Sequence, residues 1–214
     1  MDNQVLLYAM TALSIGTILI PVLLLWSKFY RQPPSLRWLA AFLSLSFLTD
    51  LLGLSAYLIS WVNPNRVSMG YILFGTMFLS LFYFHAIGSK NLGPALVFIN
   101  ILYLAFAVAN LLFVQKDSQN TYSVIFHSLL VLFLSIVYFY KLLQELPAQQ
   151  VQKLPLFWII SGVFFTYAGK LALYAITHYL IHYVKDNLVI TWTFHNFLNV
   201  IANLLIGYGA WLNH

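Results

Sequence analysis

The sequence predicts an all-α, polytopic membrane helix bundle with seven transmembrane helices. Three observations carry that reading. Hydrophobic residues make up 62% of the 214-residue chain and charged residues 7%, where a soluble protein carries roughly 25%. Ten basic and five acidic side chains cannot clothe a soluble surface of this size, so lipid must be the solvent over most of it. The apolar residues also fall in continuous runs. Crossing a bilayer takes about 20 residues of helix, whereas barrel strands show alternating segments of about 10. This composition excludes a soluble enzyme, a disordered tail and a nucleic-acid module. The net charge of +5 and pI near 9.4 belong to loops beside a membrane. With no cysteine, disulfides and thiolate chemistry are excluded.

The runs follow in order, and together make residues 1–214 a single transmembrane domain. Val5–Trp26 comes first. Met1-Asp2-Asn3-Gln4 has no basic leader and no small-residue cleavage site follows, so the run reads as a retained helix and not a signal peptide. Pro21 inside it predicts a kink. Gln32-Pro33-Pro34-Ser35 breaks the chain before the second helix, Arg37–Val62, and Asn63-Pro64-Asn65-Arg66 breaks it before the third, Val67–Gly88. Leu92–Val114 is the fourth, with Pro94 near its start, where a missing N–H does no harm. Tyr122–Leu143, Pro155–Leu180 and Asn187–Leu212 complete the set.

Lysine and arginine set the orientation. One side holds Lys28, Arg31, Arg37, Lys90, Lys141 and Lys153, and the other only Arg66, Lys116 and Lys185. The basic side is therefore expected inside, with the N-terminus out and the C-terminus in. Aromatic residues fall near both interfaces, among them Trp26, Tyr30, Tyr138, Tyr140 and Trp211 on the basic side and Tyr8, Tyr57 and Trp192 on the other. The segments Ser80–His85 and Ser135–Tyr140 echo each other and read as aromatic anchors, with a transporter repeat as the sharper alternative. Ala12 with Gly16, and Ala105 with Ala109, are four apart and predict close helix contacts.

Two ionisable residues sit deep in spans, Asp50 in the second helix and Lys170 in the sixth. Each costs about 2.5–3.5 kcal/mol at the bilayer centre. At 1.5 Å per residue they lie roughly 20 and 22 Å along their helices, at one depth. They are candidates for an ion pair that fixes packing, or for a ligand-binding pair. The seventh helix adds Trp192, His195, Asn199, Asn203 and Gly207 at spacings of three or four, with Asn196 beside the stripe. Such a face belongs inside the bundle, as glue between helices or as the lining of a polar cavity. Ser46, Thr49, Tyr57, Thr166, Tyr167 and Tyr174 extend it on helices two and six. The candidate ligand-binding set is Asp50, Lys170, His195, Asn199, Asn203, Tyr57 and Tyr174. It suits a small polar or amphipathic ligand. Asn100 and Asn110 read as packing amides.

No catalytic motif is present: no Gly-x-Ser-x-Gly, no phosphate loop, no dinucleotide fingerprint. No cofactor is predicted. His178 and His182, at i and i+4, have a spacing that suits one metal ion, with Tyr183 and Asp186 nearby and His127 near the outer end of the fifth helix. No His-Glu-x-x-His accompanies them.

Leu154-Pro-Leu-Phe-Trp-Ile-Ile-Ser-Gly-Val-Phe-Phe-Thr-Tyr-Ala-Gly and Trp192-Thr-Phe-His-Asn-Phe-Leu-Asn-Val-Ile-Ala-Asn resemble an uncharacterised family of small seven-helix bacterial inner-membrane proteins, often encoded near sensor histidine kinases. That resemblance implies a bacterial inner membrane and signalling, and carries over no functional residue. The buried lysine and acid also resemble those of microbial rhodopsins, but here they lie on helices six and two, away from the retinal lysine and counter-ion positions. The histidine pair resembles that of seven-helix zinc hydrolases, on the wrong helix. The expected function is a sensory or signal-transduction subunit acting through a membrane or cytoplasmic partner. A small-solute or proton-coupled transporter is the alternative, and a metal-dependent hydrolase or retinal protein follows.

Overall fold

A computed structural model describes residues 3–59, 64–115, 121–145, 150–179 and 189–213. Seven helices account for nearly all of them: α1 (Asn3–Ser27), α2 (Pro34–Ile59), α3 (Pro64–Ile87), α4 (Leu92–Ala109), α5 (Thr121–Gln144), α6 (Pro155–Tyr179) and α7 (Val189–Leu212). Helix starts at Pro34, Pro64 and Pro155 follow from proline's preset φ and its missing donor at the first helical position. α2 and α3 therefore begin three residues before their apolar runs. α1 continues through Pro21 as one helix. α4 ends in a π-helical turn, Asn110–Val114, instead of running on as regular α-helix. α3 stops at Gly88, whose φ of +67° suits glycine and whose N–H closes on the Phe84 carbonyl at 3.0 Å.

Among the described residues, six of the seven helices expected to span are long and apolar enough to cross a membrane. α7 is as long, with 24 residues.

Packing orders the helices as a ring: α1 against α2, α2 against α3, α3 against α5, α5 against α6, α6 against α7, and α7 back on α1. α4 stands outside, against α3, and exposes Val97, Phe98, Ile101 and Leu102. α2 and α6 thus face each other across the ring.

The ring has two unlike halves. Towards the basic end one hydrophobic core fills it, built from Leu25, Leu36, Leu39, Leu43, Leu79, Phe82, Leu134, Ile159, Ile160 and Ile206. We call this the closed half. Its floor is tied by the basic residues themselves. Arg37 donates to the Gln32 and Tyr30 carbonyls at 3.0 and 2.9 Å, and Lys141 donates to the Ile87 carbonyl while lying 3.4 Å from Glu145. Towards the other end the interior becomes polar. The buried apolar residues there form a smaller group, Met69, Ile72, Tyr103, Ala107 and Val124, beneath α4.

Two sequence expectations are corrected. Tyr138 is no interface anchor. It is buried, as is Tyr83, whose hydroxyl meets Ser135 Oγ at 2.6 Å, so the echoed segments are joined inside the core. Nor do the small-residue pairs make the tight contacts. Ala105 and Ala109 are exposed, and a Cβ on Gly16 would meet nothing within 4 Å. The close approach is between α6 and α7. There a Cβ on Gly162 would lie 2.9 Å from the Ala202 carbonyl oxygen, and one on Gly209 2.6 Å from that of Pro155.

Candidate functional site

The polar half is built by three stripes that change character part-way along their helices. On α2, Leu36, Leu39, Leu43, Phe47 and Asp50 recur at three- and four-residue steps. On α6 the stripe is Ile160, Val163, Tyr167, Lys170 and Tyr174. On α7 it runs backwards from Ala210 and Ile206 to Asn199 and His195. Each is apolar in the closed half and polar beyond it. Residues at these spacings share one helix face, so the same faces that seal the core carry the polar groups into the ring. The opposite face of α7, with Phe194, Phe197 and Leu204, is exposed.

At the boundary between the halves lies a buried hydrogen-bonded line. Thr76 Oγ1 donates to the Ile72 carbonyl at 2.6 Å, which leaves it an acceptor for His127 Nδ1 at 2.7 Å. His127 Nε2 then accepts from the Tyr167 hydroxyl at 3.0 Å. Each hydroxyl has one proton to give, so this order fixes the neutral imidazole with its proton on Nδ1. The line ties α3, α5 and α6 together. His127, an outlying metal candidate in the sequence, is a satisfied core residue 2% exposed.

Just beyond it stands Lys170. Its ammonium lies 5.1 Å from the centre of the Tyr167 ring and 5.7 Å from that of Tyr71, within cation–π range. Asp50 and Lys170 are each nine residues from the polar ends of their helices, at about 13 Å depth. They attract each other across the ring, but the ion pair is not formed. Among the described residues the one lysine or arginine within 4.0 Å of a carboxylate is Lys141, with Glu145. Neither group hydrogen-bonds a described residue. Gln32 alone among the described residues has buried side-chain polar atoms without a partner.

The α7 amides separate. Asn196 donates to Thr11 Oγ1 at 2.8 Å, and Asn203 to the Ser14 carbonyl and Thr17 Oγ1 at 3.3 Å. Both join α7 to α1, and Gly207 packs on Ile20 of the same helix. Asn203 therefore leaves the candidate pocket and becomes a helix-joining residue. Asn199 stays, with its Nδ2 3.2 Å from His195 Nε2. With that nitrogen accepting, His195 carries its proton on Nδ1. Tyr174 is half-buried against the cluster under α4. Thr49 and Thr166 return their hydroxyls to Leu45 and Gly162 carbonyls of their own helices at 2.8 and 3.0 Å. Asn100 and Asn110 are packing amides, bonded to Ser80 at 2.9 Å and Ser123 at 3.1 Å. The side chains of Tyr57 and His178, and all of His182, lie outside the described residues. Among the described residues no three His, Asp or Glu side chains gather as a metal site.

A separate groove of about 530 Å³ lies between the end of α4 and the start of α5, lined by Phe106, Phe113, Tyr122, Phe126 and Leu129. It is apolar and shares no residue with the Asp50–Lys170 region.

No protein family, curated protein or solved structure matches the chain.

Proposed function

We infer that the chain is a sensory or signal-transduction subunit of a bacterial cytoplasmic membrane. It spans seven times, with the N-terminus outside and the basic end inside, and it responds to a small molecule in its polar half. One observation carries this: a bundle sealed by core at the basic end holds an unpaired cation and carboxylate in its other half. Intramembrane charges are costly and are found where they have a task. Charges held in one half of a bundle whose other half is sealed suit detection better than passage. The orientation rests on the lysine and arginine bias, and α7 as a seventh span rests on its exposed Phe194, Phe197 and Leu204. The resemblance to small seven-helix bacterial proteins supports the same setting. With no catalytic motif in the chain, the response passes to a partner at the basic end, where Lys28, Arg31 and Lys153 are placed.

The test has two parts. A photo-reactive residue at position 31 or 153 in native membranes is expected to crosslink one partner of defined mass. The purified chain in liposomes is expected to carry neither protons nor solutes. Sustained flux without a partner would overturn the reading in favour of a carrier.

A further inference from the structure

We propose that the polar half holds a small zwitterion, its anionic group on Lys170 and its ammonium on Asp50. This rests on the reading of that half as a ligand site and names its ligand class. Two opposite charges stand at one depth on α2 and α6, which face each other across the ring. They attract each other yet remain more than 4.0 Å apart. Neither is hydrogen-bonded to a described residue. Two charges whose role was packing would be expected to meet, since each alone is costly in a membrane.

The neighbouring polar groups are already engaged. Thr76, His127 and Tyr167 satisfy one another. Thr49 and Thr166 are bonded to their own helices, and Asn196 and Asn203 to α1. Among the groups that remain are one carboxylate, one ammonium and the His195–Asn199 pair with its ring N–H and amide oxygen. A simple anion on Lys170 would be repelled by Asp50, and a simple cation on Asp50 by Lys170. A ligand carrying both charges a few ångströms apart satisfies the two together. The Tyr71 and Tyr167 rings hold the lysine head by cation–π contact. Two sources share this chemistry: a free α-amino acid, and the phosphoethanolamine headgroup of a membrane lipid.

The experiment uses the full chain in nanodiscs of phosphatidylglycerol, reading thermal stability and retained mass by native mass spectrometry. An equimolar mixture of the twenty α-amino acids is compared with the same mixture N-acetylated, which removes the ammonium, and C-amidated, which removes the carboxylate. In a separate arm phosphatidylethanolamine is added to the nanodisc lipid. The free source predicts stabilisation by the unmodified mixture and by neither modified one. The lipid source predicts a retained phosphatidylethanolamine and no effect of any mixture. In either case Asp50→Asn and Lys170→Gln each weaken binding by about tenfold or more, and Asn203→Ala, which faces α1, leaves it unchanged. Should either charge variant fail to fold, competition by the acetylated and amidated mixtures on the unaltered chain decides instead. Equal binding of the acetylated mixture, or no binding from either source, overturns the zwitterion. Neither result touches the crosslinked partner, so the two readings fail separately.

Discussion

The closed and polar halves are built by the same helix faces with opposite chemistry. On α6 the stripe passes from Ile160 and Val163 to Tyr167 and then Lys170, and on α2 from Leu39 and Leu43 to Asp50. In the closed half apolar side chains meet and α6 and α7 approach to backbone contact at Gly162 and Gly209. In the polar half the facing charges stay apart. Where lipid is the solvent, association depends on packing and on satisfied polar groups, because apolar side chains gain little by leaving lipid for one another. The closed half should therefore hold most of the stability and the polar half most of the function.

The largest effects are expected where backbone meets backbone. Gly162→Ala and Gly209→Ala place a methyl within 3 Å of a carbonyl oxygen that cannot swing away. Each should destabilise the protein by roughly 1–3 kcal/mol through overpacking, read as a lowered unfolding midpoint in detergent. Gly169→Ala, further along α6, meets only the Leu198 side chain, which can rotate. Its cost should be smaller. Equal costs at all three would mean that the halves are packed alike.

The boundary line comes next. His127→Phe keeps a ring but leaves Thr76 and Tyr167 hydroxyls without their imidazole partner. A loss of about 1–3 kcal/mol is expected for buried polar groups left unmatched. Tyr167→Phe, which removes one bond and keeps the other, should cost less. Smaller still is the Tyr83–Ser135 contact. A double-mutant cycle of Tyr83→Phe and Ser135→Ala should give a coupling near the roughly 0.6 kcal/mol average for hydrogen bonds between membrane helices. A coupling above that of the His127 line would shift the keystone of the fold into the closed half.

The helices were legible in the sequence because twenty-residue apolar runs have few other uses. Their starts were less so: Pro34 and Pro64 read as loop breakers, yet both open helices. Asp50, Lys170, His195 and Asn199 stood out because charge and amide are rare in lipid, and the structure keeps all four in the polar half. Asn203 was misplaced. It shares a three- and four-residue spacing with Asn199, but a helix advances 100° per residue, and the small offset turns it to α1. The His127 line was hidden for another reason. Thr76, His127 and Tyr167 lie 40 to 51 residues apart in sequence, and only the packing of α3 against α5 and of α5 against α6 brings them together. The signal that could have found it was the α5 stripe of Ser123, His127, Ser128 and Ser135, whose small polar groups mark a face buried by helices.

The smallest effect on stability is expected at the charges themselves. Breaking a formed, buried ion pair by removing one partner typically costs about 3–5 kcal/mol. Asp50 and Lys170 have not formed one, and each bears its desolvation with no direct bond in return. Asp50→Asn and Lys170→Met should therefore change the unfolding free energy by less than about 1 kcal/mol, or raise it slightly, since an amide or a thioether is cheaper in lipid than a charge. The swap Asp50→Lys with Lys170→Asp sharpens the point. If the two residues were a structural pair, the swap would rescue a stability lost in each single variant. With no such loss to rescue, swap and singles should unfold alike. A clear rescue in the swap would show that these charges support the fold as the closed half does, and the distinction between the halves would fail where it matters most.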